Sequence, residues 1–405
     1  MYFKILFGGC FAMVIVMFSV FSIYWGALWK IPDHNLRGWV VDFDGSAVGT
    51  AVVQGLTASS SSSKVTFTQV SASEFPGGWE EVANRVVEQK AWVAVVVQSN
   101  ATGALNAAVS SVNSSYDGTE AITFYGVEAR NENAYRSLIR PSVQALLIAI
   151  CQEYAQQFVS QIASSSSLSS IASSAPQILT EPISYTTDNL VPFDIPVASA
   201  ITFVGLIYLL ILSFFIVMIG ASAREISGLE RKLTTVSLIR VRLISVFIAY
   251  FMISLFYSLL SRAFQVNFSR KFGDAGFVIF WMVNFVGMLS VGLALEAMIT
   301  LLTVRFVPFF MILWIISNVS VSFMPLDVLP NIYRYGYAMP FYNVSGAVRT
   351  ILFGTKNELG LHFGVLIAWT VVSLITLPTF QWFMRRKNVP ETTGLIEEGE
   401  KGAGH

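Results

Sequence analysis

Apolar residues run almost unbroken from Ile5 to Leu28, thin out through residues 30–196, and crowd again through 197–384. A membrane-spanning helix needs about 20 mostly apolar residues. Residues 5–28 meet that length and end in Tyr24, Trp25 and Trp29, aromatics suited to a membrane interface. A cleavable signal peptide would have a shorter apolar core and small residues before the cut, where this chain has Trp25 and Leu28. An uncleaved signal anchor is expected. Five further spans are expected at 197–220, 243–261, 277–298, 303–323 and 361–384. Glu296 and Arg305 bracket a tight turn between the third and fourth of these.

The polar stretch between anchor and bundle alternates strand and helix patterns. Gly38–Phe43 reads as a strand closed by Asp44-Gly45, a turn signal, and an Ala/Val/Gly segment to about residue 57 reads as helix. Lys64–Val70 alternates as a strand does, and 79–90 follows Pro76-Gly77-Gly78 with Glu80 and Glu81 in a first helical turn. Trp92–Val97 is continuously apolar, as in a strand covered on both faces. A helix near 101–112, a strand near 120–126 and a long helix near 132–163 follow. The last repeats Ile139, Val143, Leu146, Leu147, Ile150, Tyr154 and Phe158 along one stripe. Four strand–helix units are enough for one α/β core. Residues 164–182, serine-rich with Pro176 and Pro182, read as a flexible tether.

Composition agrees with this division. Of 405 residues 54% are hydrophobic and 12% charged, with mean hydropathy +0.62. Soluble domains carry about 25% charged residues, so the deficit belongs to segments in lipid. Net charge is +0, and no basic domain points to nucleic acid. Cys10 falls in the anchor and Cys151 in the polar domain, so no disulfide is expected. His34, His362 and His405 are scattered, which argues against a histidine metal site.

Charge sets an expected orientation. The 221–242 loop holds Arg224, Arg231, Lys232, Arg240 and Arg242, and the tail opens with Arg385, Arg386 and Lys387. Positive residues favour the cytoplasmic side. Six spans then put both termini inside and residues 30–196 outside, although Arg262, Arg270 and Lys271 fall outside too. The sequons at Asn100, Asn113, Asn267 and Asn343 all fall on the outer side and are candidate N-glycosylation sites. The 224–242 segment mixes Ile226, Leu229, Leu233, Val236 and Ile239 with five cations. It reads as an amphipathic cytoplasmic helix suited to anionic lipid or a partner subunit.

No catalytic signature stands out. The chain has no Walker phosphate loop, no nucleophile elbow, no His-Glu-x-x-His helix and no paired-cysteine metal motif. Asp42-x-Asp44-Gly45 suggests a calcium loop, but position 53 is valine where the closing glutamate belongs. A strand running into a turn is the favoured reading. An enzyme is not expected, and neither is a cofactor. Polar groups in the spans carry more weight, because burying them in lipid is costly. Asn284 lies mid-span, and Ser317, Asn318, Ser320 and Ser322 make one end of a span polar. Hydrogen bonding between helices and a route for an amphiphile both remain open for them. Glu296 and Arg305 read as interfacial residues at a turn, with a proton relay as the alternative. Asn284, Glu296 and Asn318 are the candidate translocation path.

Three segments carry a resemblance. Ser22–Lys30 at the end of the anchor, Trp39-Val-Val-Asp-Phe-Asp-Gly45 with Val48-Gly49, and Met339–Gly354 before the last span resemble the fungal nitrosoguanidine-resistance family, a DUF3533-type family. The third is also similar to a loop of ABC-type-2 membrane domains and of phage-infection proteins. The resemblance implies a multi-pass α-helical membrane protein: anchor 1–29, extracytoplasmic α/β domain 30–163, tether 164–196, a five-helix ABC-type-2-like bundle 197–384 and a cytoplasmic tail 385–405. It implies a protein of the plasma membrane or secretory pathway, acting in resistance to toxic amphiphiles or in lipid distribution. Membrane lipids, a homodimer and a separate ATP-binding subunit are the partners it implies. Only Met1–Lys4 precede the anchor, where the family often has a longer tail, so a shortened N-terminus is also implied. The alternative is a membrane scaffold or sensor whose ectodomain binds a surface partner.

Overall fold

A computed structural model describes residues 1–58, 63–164 and 167–402, with 387–402 described by backbone alone. The chain forms two units. One takes Ile31–Asp194 and Asp327–Pro330; the other takes Met1–Lys30, Ile195–Leu326 and the chain from Asn331 onward.

The first unit is built on a five-stranded mixed sheet. Its strands are β1 (Leu36–Asp42), β2 (Val65–Val70), β3 (Val93–Val97), β4 (Ile122–Gly126) and β5 (Tyr185–Asn189), in the order β2-β1-β3-β4-β5. β1 pairs in parallel with β2 and β3, β4 runs antiparallel to β3, and β5 runs parallel to β4. All five residues of the valine-rich β3 are buried, as expected of a central strand. Helix α1 (Tyr2–Leu28) belongs to the other unit, and helices α2 (Ala47–Ala58), α3 (Trp79–Val87), α4 (Ala101–Ser111) and α5 (Arg140–Ile162) complete the core. On α5 the expected stripe is inward: Val143, Leu147, Ile150 and Phe158 are buried.

The Asp42–Gly45 turn is structural. Asp42 Oδ1 accepts the N–H groups of Asp44 and Gly45 at 2.9 and 3.0 Å. The Asp44 carboxylate accepts the Thr102 N–H at 2.9 Å and the Thr102 hydroxyl at 2.5 Å, tying β1 to the first turn of α4. Both acids are spent on orphan donors of turns and helix starts.

The segment expected to be a tether has a different role. Ile171, Ala175, Ile178 and Ile183 are buried, and Tyr185–Asn189 supplies the fifth strand. The segment's described serines lie around a short helix, Leu168–Ser174, and Thr186 and Thr187 lie on the edge strand β5. Residues 165–166 lie outside the described ones. The short Asp327–Pro330 stretch also packs in this unit. The Val328 carbonyl accepts the Asp33 N–H at 2.9 Å, and Asp327 accepts the Trp92 indole N–H at 2.9 Å.

The second unit carries five helices long and apolar enough to cross a membrane: α1 (Tyr2–Leu28), α6 (Ala200–Ile226), α7 (Thr235–Ala263), the Ser269–Val319 stretch and α10 (Leu359–Arg386). The protein is an integral membrane protein. Within the fourth lies α8 (Gly276–Val319), 44 residues long, broken at Thr303, whose φ is 66°. A straight helix of that length would measure about 66 Å, twice the hydrocarbon thickness.

Two contacts show that α8 is a hairpin. A Cβ on Gly287 would stand 3.0 Å from Val344, and Asn318 accepts the Phe341 N–H at 3.1 Å. Gly287 and Asn318 would be roughly 46 Å apart on a continuous helix, whereas Val344 and Phe341 are one turn apart on α9 (Pro340–Phe353). The two arms therefore lie side by side, and the break falls between Glu296 and Arg305 as expected.

The region read as a loop before the last span is α9 itself. Fourteen residues reach about 21 Å, too short to span. Twelve of them are buried, including Asn343 and Arg349. Such a segment is tolerated at membrane depth because protein surrounds it.

The expected 224–242 amphipathic helix does not form. Gly228, with φ 64°, breaks the chain after α6, and α7 begins at Thr235 with the Thr234 hydroxyl capping the Ser237 N–H. Arg224 and Arg242 consequently sit on different helices, and both point inward. The tail expected at 385–405 has a helical backbone to Gly402, with 403–405 outside the described residues.

Candidate functional site

Every fourth residue of α7 is buried: Leu238, Arg242, Val246, Tyr250, Ser254 and Ser258, with Ser261 one turn on. Spacing of four keeps them on one face. That face meets the first arm of α8 and is polar along most of its length.

At one end of the seam lies an ionic cluster. Glu296 is fully buried, and its Oε1 accepts the Arg242 Nε–H at 2.7 Å. The same oxygen pairs with Arg224 Nη1 at 3.1 Å. Arg242 also donates through Nη2 to the Glu296 carbonyl and the Thr300 hydroxyl, each at 2.8 Å, and through Nη1 to Gln381 Oε1 at 2.5 Å. Thr300 stands one turn beyond Glu296, and its hydroxyl donates to the Glu296 carbonyl at 3.2 Å. Four helices meet here: α6, α7, α8 and α10.

The two arginines are held differently. Arg242 has its planar fork occupied on three sides, the geometry for which arginine suits buried pairs. Arg224 is tied by one ion pair, and its Nε has no hydrogen-bond partner. Glu296 Oε2 is likewise buried without a partner. Two guanidinium groups face one carboxylate, so one positive charge goes unneutralised within the cluster. Glu230, the acid next to Arg224, is exposed in the Leu229–Lys232 turn.

A family model described as a protein of unknown function, DUF3533, matches residues 9–375. The chain belongs to this family. An uncharacterized endoplasmic reticulum membrane protein of Saccharomyces cerevisiae is 26% identical over 420 residues, covering 95% of this chain and 80% of that protein. No solved structure matches. Arg224, Arg242, Glu296 and Thr300 lie inside the family region, and Gln381 lies just beyond it.

The structure assigns the expected path residues to separate places. Glu296 is not an interfacial residue at a turn: it is the centre of the cluster, while Arg305 is exposed beside Phe306. Asn284 is buried farther along the α7 seam and donates to Ser258 Oγ at 3.0 Å. Asn318 is buried on the second arm, donating to the Trp314 carbonyl at 2.9 Å while accepting from Phe341. Both asparagines are hydrogen-bonded inside the bundle.

Among the sequons, Asn100, Asn113 and Asn267 are exposed. Asn343 is buried in α9, where its amide donates to the carbonyls of Tyr337 and Met339 and its Oδ1 contacts His362 Nδ1 at 3.0 Å. That packing leaves no room for a glycan, because α9 is a helix inside the bundle rather than a surface loop.

Sequence reasoning missed Arg224, Arg242, Thr300 and Gln381 as partners of Glu296. A usable signal was present. Glu296 is an acid within a long apolar run, and such a residue requires a cation from another helix.

Proposed function

We propose that this protein is a membrane translocator, or an accessory of one, for lipids or toxic amphiphiles, with no ATPase of its own. The observation that carries the reading is the buried Arg224–Glu296–Arg242 cluster. Charge inside a membrane bundle is costly, and it concentrates along substrate and ion pathways. The short helix α9, buried beside the hairpin, adds a segment that does not span, tolerated because protein surrounds it. The α8 hairpin supports six crossings, which with the positive-inside rule gives cytoplasmic termini and an α/β unit on the other side. The ABC-type-2-like layout, a homodimer and a separate ATP-binding subunit belong to this proposal. The yeast relative supports the endoplasmic reticulum within the secretory pathway.

The test is reconstitution of the purified protein into vesicles carrying a fluorescent phospholipid, with bleaching of the outer leaflet followed over time. Bleaching beyond one half, with or without an added ATP-binding subunit, is expected. A plateau matching protein-free vesicles, in every condition, would sink the translocator reading.

A scaffold or sensor is the second reading, favoured by one observation: the α/β unit has a complete core of its own, with β3 buried throughout. Removing residues 195–326 and 331–405 while keeping an anchor would preserve a scaffold's function and abolish a translocator's.

A further inference from the structure

The unsatisfied atoms of the ionic cluster define a ligand. Arg224 Nε is a buried donor with nothing to donate to, and Glu296 Oε2 is a buried acceptor with nothing to accept from. They lie on two residues already joined by the 3.1 Å ion pair. A buried polar atom left unsatisfied costs about 1–3 kcal/mol. The cluster also holds one positive charge more than its carboxylate neutralises. A group completing it brings three things at once: one negative charge, an acceptor for Arg224 and a donor for Glu296.

We infer that this site binds the headgroup of an anionic phospholipid that carries an O–H or N–H donor, of the phosphatidylinositol, phosphatidylglycerol or phosphatidylserine type. The phosphodiester supplies the acceptor, the headgroup as a whole the net negative charge, and a headgroup hydroxyl or ammonium the donor. A fatty acid anion has the charge and the acceptor but no donor. Phosphatidylcholine has no net charge and no O–H or N–H. A lipid is favoured over a soluble phosphate because the cluster lies among membrane-spanning helices. The exposed Arg231, Lys232 and Arg240 on the adjoining segments draw anionic headgroups to the same end of the bundle. Arg242 is committed to Glu296, Thr300 and Gln381, so the unpartnered Arg224 Nε is the donor that engages the phosphate.

This inference rests on the translocator reading and names a substrate class for its site. Its test is native mass spectrometry of the full-length protein, purified in mild detergent and stripped of lipid. The probes are dioleoyl phosphatidylinositol, dioleoyl phosphatidylcholine, oleate and water-soluble glycerophosphoinositol. Retention of phosphatidylinositol above the other three is expected, and Arg224→Gln should weaken it about tenfold, the scale of one lost charge-assisted hydrogen bond. Arg224→Lys, which keeps the charge, should fall between the two and serves if the glutamine variant does not fold. Equal retention of all lipids, or an unchanged Arg224→Gln, would overturn the site. Binding of glycerophosphoinositol as tight as the lipid would overturn the lipid as its source. Selective binding without movement in vesicles would sink only the translocator, and movement without selectivity only this inference.

Discussion

Arg242 holds Glu296 twice, through Nε to the side-chain Oε1 at 2.7 Å and through Nη2 to the backbone carbonyl at 2.8 Å. One guanidinium thus fixes both the charge of the acid and the turn of α8 on which it rides. Removing one partner of a buried pair costs about 3–5 kcal/mol, because the other charge is left unpaired. Glu296→Leu strands both Arg224 and Arg242 and should therefore lower the yield of folded protein sharply. Glu296→Leu with Arg224→Leu and Arg242→Leu should recover much of it, since an apolar set leaves no charge behind. The check is thermal stability in detergent by gel filtration after heating. A triple variant as unstable as the single would show that the cost does not lie in unpaired buried charge.

The two asparagines are expected to differ in degree. Asn284→Leu removes one side-chain bond to Ser258, and such interhelical bonds in membranes average about 0.6 kcal/mol. Asn318→Leu also strands the Phe341 N–H at the start of α9, a cost of about 1–3 kcal/mol. Asn318→Leu should thus lower abundance clearly, and Asn284→Leu hardly at all. Lipid movement normalised to folded protein should be unchanged in both. Loss of movement at full abundance would restore them to the transport path.

Much of the architecture was legible in the residues, for definite reasons. Apolar runs long enough to span identify α1, α6, α7 and α10 directly, and Asp44-Gly45 marks the end of β1. The period-four stripe of α5 reads as a buried face, and Val143, Leu147 and Ile150 fill it. What escaped depends on distance in the chain. β5 carries Thr186, Thr187 and Asp188 on an exposed edge, so its composition resembles a linker. Pro340–Phe353 is apolar enough to be buried and too short to span, a combination that hydropathy reads as a loop. The pairing of Arg242 with Glu296 joins residues 54 positions apart, and counting Arg242 among loop cations concealed it.

Tyr250 is fully buried, and its ring fills the space left by the missing side chain of Gly292; a Cβ there would collide with the Tyr250 ring and hydroxyl. Close approach of α7 and α8 depends on that glycine, as small residues permit in membrane bundles. Gly292→Ala should cost about 1–3 kcal/mol as an overpacking change. Gly292→Ala with Tyr250→Phe should regain part of it by removing the hydroxyl that is hit first. Melting of the purified variants measures both. A Gly292→Ala variant as stable as the parent would mean that the helices stand farther apart than described.

Glu128 makes the α/β unit sensitive to acid. Burial alone would push its carboxyl up, but the Phe193 N–H, Arg136 and Asn189 outweigh burial and hold it below the ordinary value. Arg136 donates at 2.6 Å to one oxygen, and Asn189 at 2.8 Å and Phe193 at 3.1 Å to the other, fastening the end of β5 to the chain after β4. A folded carboxyl more acidic than the unfolded one stabilises the fold fully above the unfolded value of about 4.3. That contribution is lost as pH falls through the unfolded value and then the folded one. Protection of Tyr185–Asn189 against hydrogen exchange in the full-length protein, taken relative to the unstructured-peptide rate at each pH, should therefore fall between about pH 5 and pH 3. Glu128→Gln should exchange faster already at pH 7 and lose most of that pH dependence. Parallel curves for the variant and the parent would show that Glu128 does not anchor the strand.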